Sequence, residues 1–251
     1  MHGIALQPIV RVDGQILGHE ILIRRRGTDG RWRLPADFLP APSASHPGRW
    51  MADMYVADRV RLDDRLRSLP GKLFINVSHA TLEREEIFRQ WVAILRTAVQ
   101  RKLSQIVAEF SEDTNLPDGV LADRVADIRA LGVATAMDDF GTGNHRLDLL
   151  KEPLWDWVKI WWPASSLDER ELTRASEFCH GNDIPIVMEG VEQQADLERI
   201  RAFSPLALQG IAIAPPRLFL PAPDNSRGGM YEEDGDPIGN HLKLRRSRCA
   251  G

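Results

Sequence analysis

The chain has 251 residues, a formal net charge of -4, and 43% hydrophobic against 27% charged residues. That length suits one large α/β domain with a full core, and the charge gives no overall pull toward a DNA or RNA polymer or an anionic membrane. The two cysteines, Cys179 and Cys249, imply no disulfide framework and a reducing compartment. No charged-then-apolar leader begins at Met1 and no long uncharged apolar run follows, so a cytoplasmic protein without a membrane span is expected.

Short apolar runs alternate with longer amphipathic stretches. The runs occupy residues 4–10, 15–22, 73–77, 106–110, 133–137, 157–161, 184–188 and 206–213. Several are almost uniformly apolar, as strands buried on both faces are. Eight such runs are what a closed, TIM-like (β/α)8 barrel needs. Asp13-Gly14 joins the first two runs as a hairpin turn, so the first strand is expected to run antiparallel to the rest. Residues 51–69, 81–101, 117–131, 165–180 and 192–203 read as helices. The second carries Glu83, Glu85 and Glu86 in its first turn, where acids suit the helix dipole; the third opens at Pro117 and stops at Gly132. Residues 40–48 read as a Pro/Ser/Ala-rich loop. Past Leu220 the sequence turns polar and ends in a basic cluster, Lys243 to Arg248, so the expected domain is 1–220 with a disordered tail at 221–251.

The ends of the runs carry the chemistry. Glu20 lies in the second run, Asn76 ends the third, and Glu109 lies in the fourth with Glu112 just after it. Asp138-Asp139 follow the fifth, Lys159 lies in the sixth, Glu189 follows the seventh, and Gln209 lies in the eighth. In a barrel these ends converge on one mouth, where barrel enzymes place their active sites. A single acid after a strand is ordinary; Asp139 reads equally as a turn residue with Gly141 and Gly143 supplying positive φ. The whole set is not ordinary. Oxygen-rich groups with no cysteine favour Mg²⁺ or Mn²⁺, and two such ions about 3.5–4 Å apart polarise a phosphoryl group. Neighbouring carboxylates suit that task because one can bridge, and a cation relieves their mutual repulsion.

Longer motifs surround these residues. Gln7-Pro8-Ile9-Val10 opens the chain; Glu20-Ile21-Leu22 precedes Arg24; Phe74-Ile75-Asn76-Val77-Ser78 forms the third run. Glu109-Phe110-Ser111-Glu112, Asp138-Asp139-Phe140-Gly141-Thr142-Gly143, Glu189-Gly190-Val191-Glu192 and Gln209-Gly210 follow in order. Together, from residue 6 to 216, they resemble the EAL family of bacterial cyclic-di-GMP-specific phosphodiesterases. Glu20-Ile21-Leu22 stands at its Glu-Ala-Leu signature, and the Asp-Asp-Phe-Gly-Thr-Gly motif is complete. The resemblance implies a barrel that binds cyclic di-GMP and, in active members, hydrolyses one phosphodiester to linear pGpG with two Mg²⁺ or Mn²⁺ ions. By position, Glu20, Asn76, Glu109 and Asp138 would hold the first ion, and Asp139 the second or both. Glu189 and Gln209 would support the ions and the attacking water. Lys159 would steady developing charge beside that water; as a proton acceptor it would need a lowered pKa. Arg24 would grip a phosphate, with Gln7 and Leu22 also contacting the nucleotide, and Glu112 would hold the loop over residues 139–150. A homodimer and a protein signalling partner stay open.

One position departs from the family. Active relatives follow Lys-Ile with an aspartate that ligates the second ion; here the string is Lys159-Ile160-Trp161. Indole offers a hard cation no lone pair, only an N–H donor. Two readings follow: slow hydrolysis with a weakened second ion, or a catalytically inactive cyclic-di-GMP receptor or protein-interaction module. Asp156, five residues back and before the strand, is not expected to substitute. The residues after Gly143, Asn144-His145-Arg146-Leu147, also differ from the family's usual Tyr-Ser-Ser-Leu. Trp155, Trp157 and Trp162 read as core or apolar surface, His79 and His145 as loop residues rather than ligands, and Arg25 and Arg26 as solvated.

Overall fold

The structure, a computed structural model, describes residues 1–41, 44–67, 69–100, 105–142, 147–162 and 169–220. The tail read at 221–251 and the residues Gly143, Asn144, His145 and Arg146 lie outside the described residues. Ten strands occur among them: β1 (His2–Arg11), β2 (Ile16–Arg26), β3 (Trp32–Arg33), β4 (Lys72–Val77), β5 (Ile106–Ser111), β6 (Ala134–Phe140), β7 (Trp157–Trp161), β8 (Ile186–Glu189), β9 (Ala207–Leu208) and β10 (Arg217–Phe219). The α-helices are α1 (Pro47–Leu62), α2 (Asp64–Arg67), α3 (His79–Leu82), α4 (Glu85–Gln100), α5 (Asp118–Arg129), α6 (Leu147–Leu150), α7 (Glu169–Gly181) and α8 (Asp196–Ile200). No described helix is long and apolar enough to cross a membrane.

The eight expected runs form the wall of a closed barrel, in the order β1-β2-β4-β5-β6-β7-β8-β9 and back to β1. As the hairpin implied, β1 is antiparallel to both neighbours, β2 and β9, and the other wall pairings are parallel. The turn between β1 and β2 needs a left-handed residue, supplied by Gly14 at φ 89. Two short strands add to this wall, β3 on the end of β2 and β10 on β1.

The core has two parts. The larger lies between strands and helices: α4 buries Phe88, Trp91, Val92, Leu95 and Ala98, a stripe at helical spacing, and each large side chain there contributes about 1.5–3 kcal/mol. The smaller fills the barrel interior with Ile9, Leu17, Phe74, Val107, Ala136, Trp157, Val187 and Ala207. The pleat has a period of two, so on the seven wall strands other than β2, whose ladder is irregular beside Leu17, the residue two places further toward the mouth faces inward as well. Those residues are Gln7, Asn76, Glu109, Asp138, Lys159, Glu189 and Gln209. An apolar plug therefore lies directly beneath a polar ring.

The helical readings need correction in detail. The helix expected over 81–101 is two: fully buried Leu82 turns the chain onto the barrel, and α4 begins anew as Phe88 N–H donates to Arg84 O. The helix expected over 51–69 starts earlier, at Pro47, and breaks at Asp63. The eighth run keeps only two strand residues. Ile213 N–H and Ala214 N–H both donate to Gly210 O, a turn that carries the chain off the wall.

That turn locks two strand ends together. Val191 N–H donates to Gln209 O at 3.1 Å, and Ala212 N–H to Val191 O at 3.0 Å. A Cβ on Gly210 would collide with the Val191 backbone, which those bonds hold fixed. Gly210→Ala is expected to destabilise the protein by about 1–3 kcal/mol, read as a lower urea midpoint.

Candidate functional site

The polar ring opens into a cavity of about 550 Å³ lined by Gln7, Glu20, Leu22, Arg24, Asn76, Asp138, Asp139, Lys159, Trp161, Glu189 and Gln209 among others. Glu109 lies just below the cavity wall with no exposed surface, and Glu112 behind it is 2% exposed. The structure thus brings the sequence-derived candidates to one mouth. Glu20 Oε2 accepts from Gln209 Nε2 at 2.5 Å, and Gln209 Nε2 also reaches Gln7 Oε1 at 3.4 Å. Asn76 Nδ2 donates to Glu20 Oε1 at 3.0 Å and to Glu109 Oε2 at 3.4 Å, so its amide must turn over to offer its oxygen beside them. Arg24 is nearly buried along the same wall, and burial lowers its pKa against the pull of Glu20.

Pleating alone would send Asp138 and Asp139 to opposite faces. Both line the cavity because the register of β6 against β7 shifts between Met137 and Phe140, and Asp139 takes φ 55. Aspartate tolerates this left-handed conformation better than most residues, though at some cost. Glu112 steadies the result: its N–H donates to Asp138 O at 3.0 Å, and its Oε2 accepts from Gly141 N–H at 2.9 Å.

At the centre stands the ammonium of Lys159, fully buried. Its Nζ lies 2.5 Å from Glu109 Oε1, 2.6 Å from Glu189 Oε1, 2.8 Å from Asp138 Oδ1 and 3.4 Å from Glu20 Oε2. Burial alone would strip its proton, but Asp138, Glu109, Glu189 and Glu20 outweigh that and raise its pKa well above the ordinary value. The lowered pKa that a proton acceptor needs is therefore not what this environment produces. Burial in turn pushes the carboxyls of Glu109 and Glu189 well up, with Lys159 opposing.

The donor set fits a divalent cation. Glu109 Oε1 and Asp138 Oδ1 are buried and close to Nζ, yet neither has an aligned hydrogen bond from any described residue. Oxygens placed by distance rather than by direction suit a spherical ion. Asp138, Asp139 and Glu189 can also bring one oxygen each within 4.8 Å of one another.

Trp161, half-buried, faces the cavity from the position after Ile160, directly across from Glu189 in the strand pairing. Asp156 points elsewhere: it accepts from Arg129 and from Thr135 N–H on the barrel flank. The other tryptophans are structural. Trp155 packs edge-on to Phe110, Trp157 to Phe74 inside the barrel, and Trp162 lies against Phe203. His79 pairs with Glu83 at 3.4 Å and does not line the cavity. Arg25 lies over the ring of Phe38, and Arg26 donates to Gly30 O.

A second lobe of the cavity escaped the sequence reading. Arg49, Asp53 and Val56 from α1 line it with Pro35 and Leu39. Asp53 Oδ2 accepts from Ser78 N–H at 2.9 Å and from the hydroxyls of Ser78 and Thr81 at 2.5 Å each. One signal was available: Asp53 interrupts the buried stripe Ala52, Val56, Ala57 and Val60.

Asp139 is pushed up to about 7, by the charge of Asp138 first and by burial second. Ionising it is harder in the folded than in the unfolded chain. The stability it contributes is fully present below its ordinary value of 3.8 and is lost as pH rises from there to about 7. Melting temperature is expected to fall through that window. Saturating Mn²⁺ should flatten the fall, and Asp139→Asn should reduce it.

The EAL domain profile matches residues 3–216. An uncharacterized signaling protein of Caulobacter vibrioides is 29% identical over 253 residues, covering 96% of this chain and 30% of the relative. Cyclic di-GMP phosphodiesterase PA2567 of Pseudomonas aeruginosa is 26% identical over 218 residues, covering 82% of this chain and 36% of the relative. The chain thus spans about a third of the length of these curated relatives. The solved PaMucR phosphodiesterase, in its c-di-GMP complex, superposes with a TM-score of 0.70 at 24% identity, covering 86% of this chain and 97% of that one, and so shares the fold. With its profile matched across nearly all of the barrel, the chain belongs to the EAL domain family.

Proposed function

We propose that the barrel mouth binds cyclic di-GMP and hydrolyses one of its phosphodiesters to pGpG, at a rate held down by Trp161. The observation that carries this reading is the ring itself: Glu20, Asn76, Glu109, Asp138, Lys159, Glu189 and Gln209 meet at one opening, with Arg24 on its wall. The relatives named as cyclic di-GMP phosphodiesterases supply the substrate. Glu20, Asn76, Glu109 and Asp138 would hold one Mg²⁺ or Mn²⁺, and Asp139 with Glu189 a second. Such ions polarise phosphoryl oxygens and raise the acidity of an attacking water.

The chain's own groups do the rest. Arg24 reads a phosphate through its planar fork. Lys159 steadies negative charge as water adds to phosphorus and the bond to the 3′-oxygen breaks. Glu189 and Gln209 orient that water. Leu22 and the lobe lined by Pro35, Leu39 and Val56 take apolar ligand surface out of water. Trp161 gives the second ion no oxygen where active relatives give a carboxylate, and Mg²⁺ demands near-octahedral oxygen ligation.

The indole facing the cavity also favours a second reading, a receptor that binds the dinucleotide without turnover. Incubation with cyclic di-GMP and excess Mn²⁺, followed for pGpG by chromatography, separates the two. Slow product formation is expected, and Trp161→Asp should raise it by about tenfold or more, on the order of 1.4 kcal/mol in barrier. Binding with no product in either protein establishes the receptor, and no binding at all overturns both readings. Arg24→Ala is expected to weaken dinucleotide binding about 10- to 100-fold by calorimetry, the loss of one charge-assisted contact.

A further inference from the structure

Resting on the reading of the mouth as a cation site, a competitor is visible inside it. Lys159 Nζ lies 2.5 Å from Glu109 Oε1, 2.8 Å from Asp138 Oδ1 and 3.4 Å from Glu20 Oε2. These are three of the four side chains proposed for the first ion. The fourth, Asn76, turns its amide nitrogen toward Glu20 and Glu109, so its oxygen does not yet face them. A divalent ion needs the same oxygens at about 2.0–2.6 Å, and like charges this close repel strongly in a buried site. The ammonium in its present position and the ion therefore exclude one another.

We propose that Lys159 is a built-in cation which a divalent ion must displace, and that this displacement sets the metal affinity of the mouth. The short contacts of the ammonium, 2.5 Å to Glu109, 2.6 Å to Glu189 and 2.8 Å to Asp138, are made by charge, and a doubly charged ion at the same oxygens replaces that charge. The side chain has a flexible four-carbon stem and borders the cavity, which offers the ammonium a path out of the carboxylate ring. Asn76 would turn over in the same step, bringing its oxygen to the ion.

The test is calorimetric titration with Mn²⁺ alone, on the wild-type chain and Lys159→Met. The variant keeps the length of the stem and removes the charge. It is expected to bind Mn²⁺ at least about tenfold more tightly and to gain more melting temperature on saturation. Equal or weaker binding by the variant, with the wild type binding, overturns the inference and leaves the cation reading standing. If neither binds Mn²⁺, the cation reading itself fails and takes the inference with it. Should Lys159→Met alone not fold, Lys159→Met with Glu189→Gln keeps the charge sum. It is compared with Glu189→Gln by itself: tighter binding by the double variant supports displacement, and equal or weaker binding overturns it.

Discussion

Carboxylates gathered in a dry barrel repel one another, and the structure depends on the single ammonium that holds four of them together. Two unit charges 4 Å apart interact by about 4 kcal/mol at the effective dielectric of a protein near its surface. Glu20, Glu109, Asp138 and Glu189 all lie within 3.4 Å of Lys159 Nζ. One positive charge cannot balance four negative ones. Burial first, with the neighbouring carboxylates adding to it, raises the carboxyl pKa of Glu109 and Glu189, and the charge of Asp138 raises that of Asp139. The site is thus charged toward accepting more positive charge, and the fold bears that tension.

The barrel bears it through two devices. The first is the apolar plug of Phe74, Val107, Trp157 and their neighbours, which closes the interior to water from below and leaves the ring one opening. The second is the break in β6. A regular strand would offer one carboxylate at this level; the left-handed turn at Asp139 offers two, and Glu112 holds the backbone in that shape through Gly141. Conformational strain and a raised carboxyl pKa fall on the same residue, Asp139, as is common where a site is preorganised for a ligand.

Much of this was legible in the sequence, because a barrel strand writes its geometry in period two. Val107 before Glu109, Trp157 before Lys159 and Val187 before Glu189 are each an apolar residue followed two places on by a polar one. The antiparallel first strand followed from Asp13-Gly14 alone. What stayed hidden depends on contacts distant in sequence. The eighth run looked like a full strand, but hydrogen bonds to Gly210 and Val191 turn it away after two residues. The lobe built by Arg49 and Asp53 could not be read, because its meaning lies in the Ser78 and Thr81 groups that α1 meets only in the fold. The surroundings of Lys159 stayed hidden for the same reason: the condition set on it as a proton acceptor, a lowered pKa, depends on four carboxylates from four other strands, and these raise it instead.

The reversed direction of β1 has a mechanical consequence. Where it meets β9, the ladder holds only Val10 against Leu208 and Arg11 against Ala207. Every parallel pairing among β2, β4, β5, β6 and β7 is longer than this one. The join is short, and it ties segments nearly 200 residues apart, so little local structure survives to restore it once it parts. Gln7 and Gln209 stand on its two sides, linked at 3.4 Å. Fraying of the barrel would therefore begin beside the barrel mouth, and amide hydrogens there would exchange with solvent sooner than those of the opposite wall.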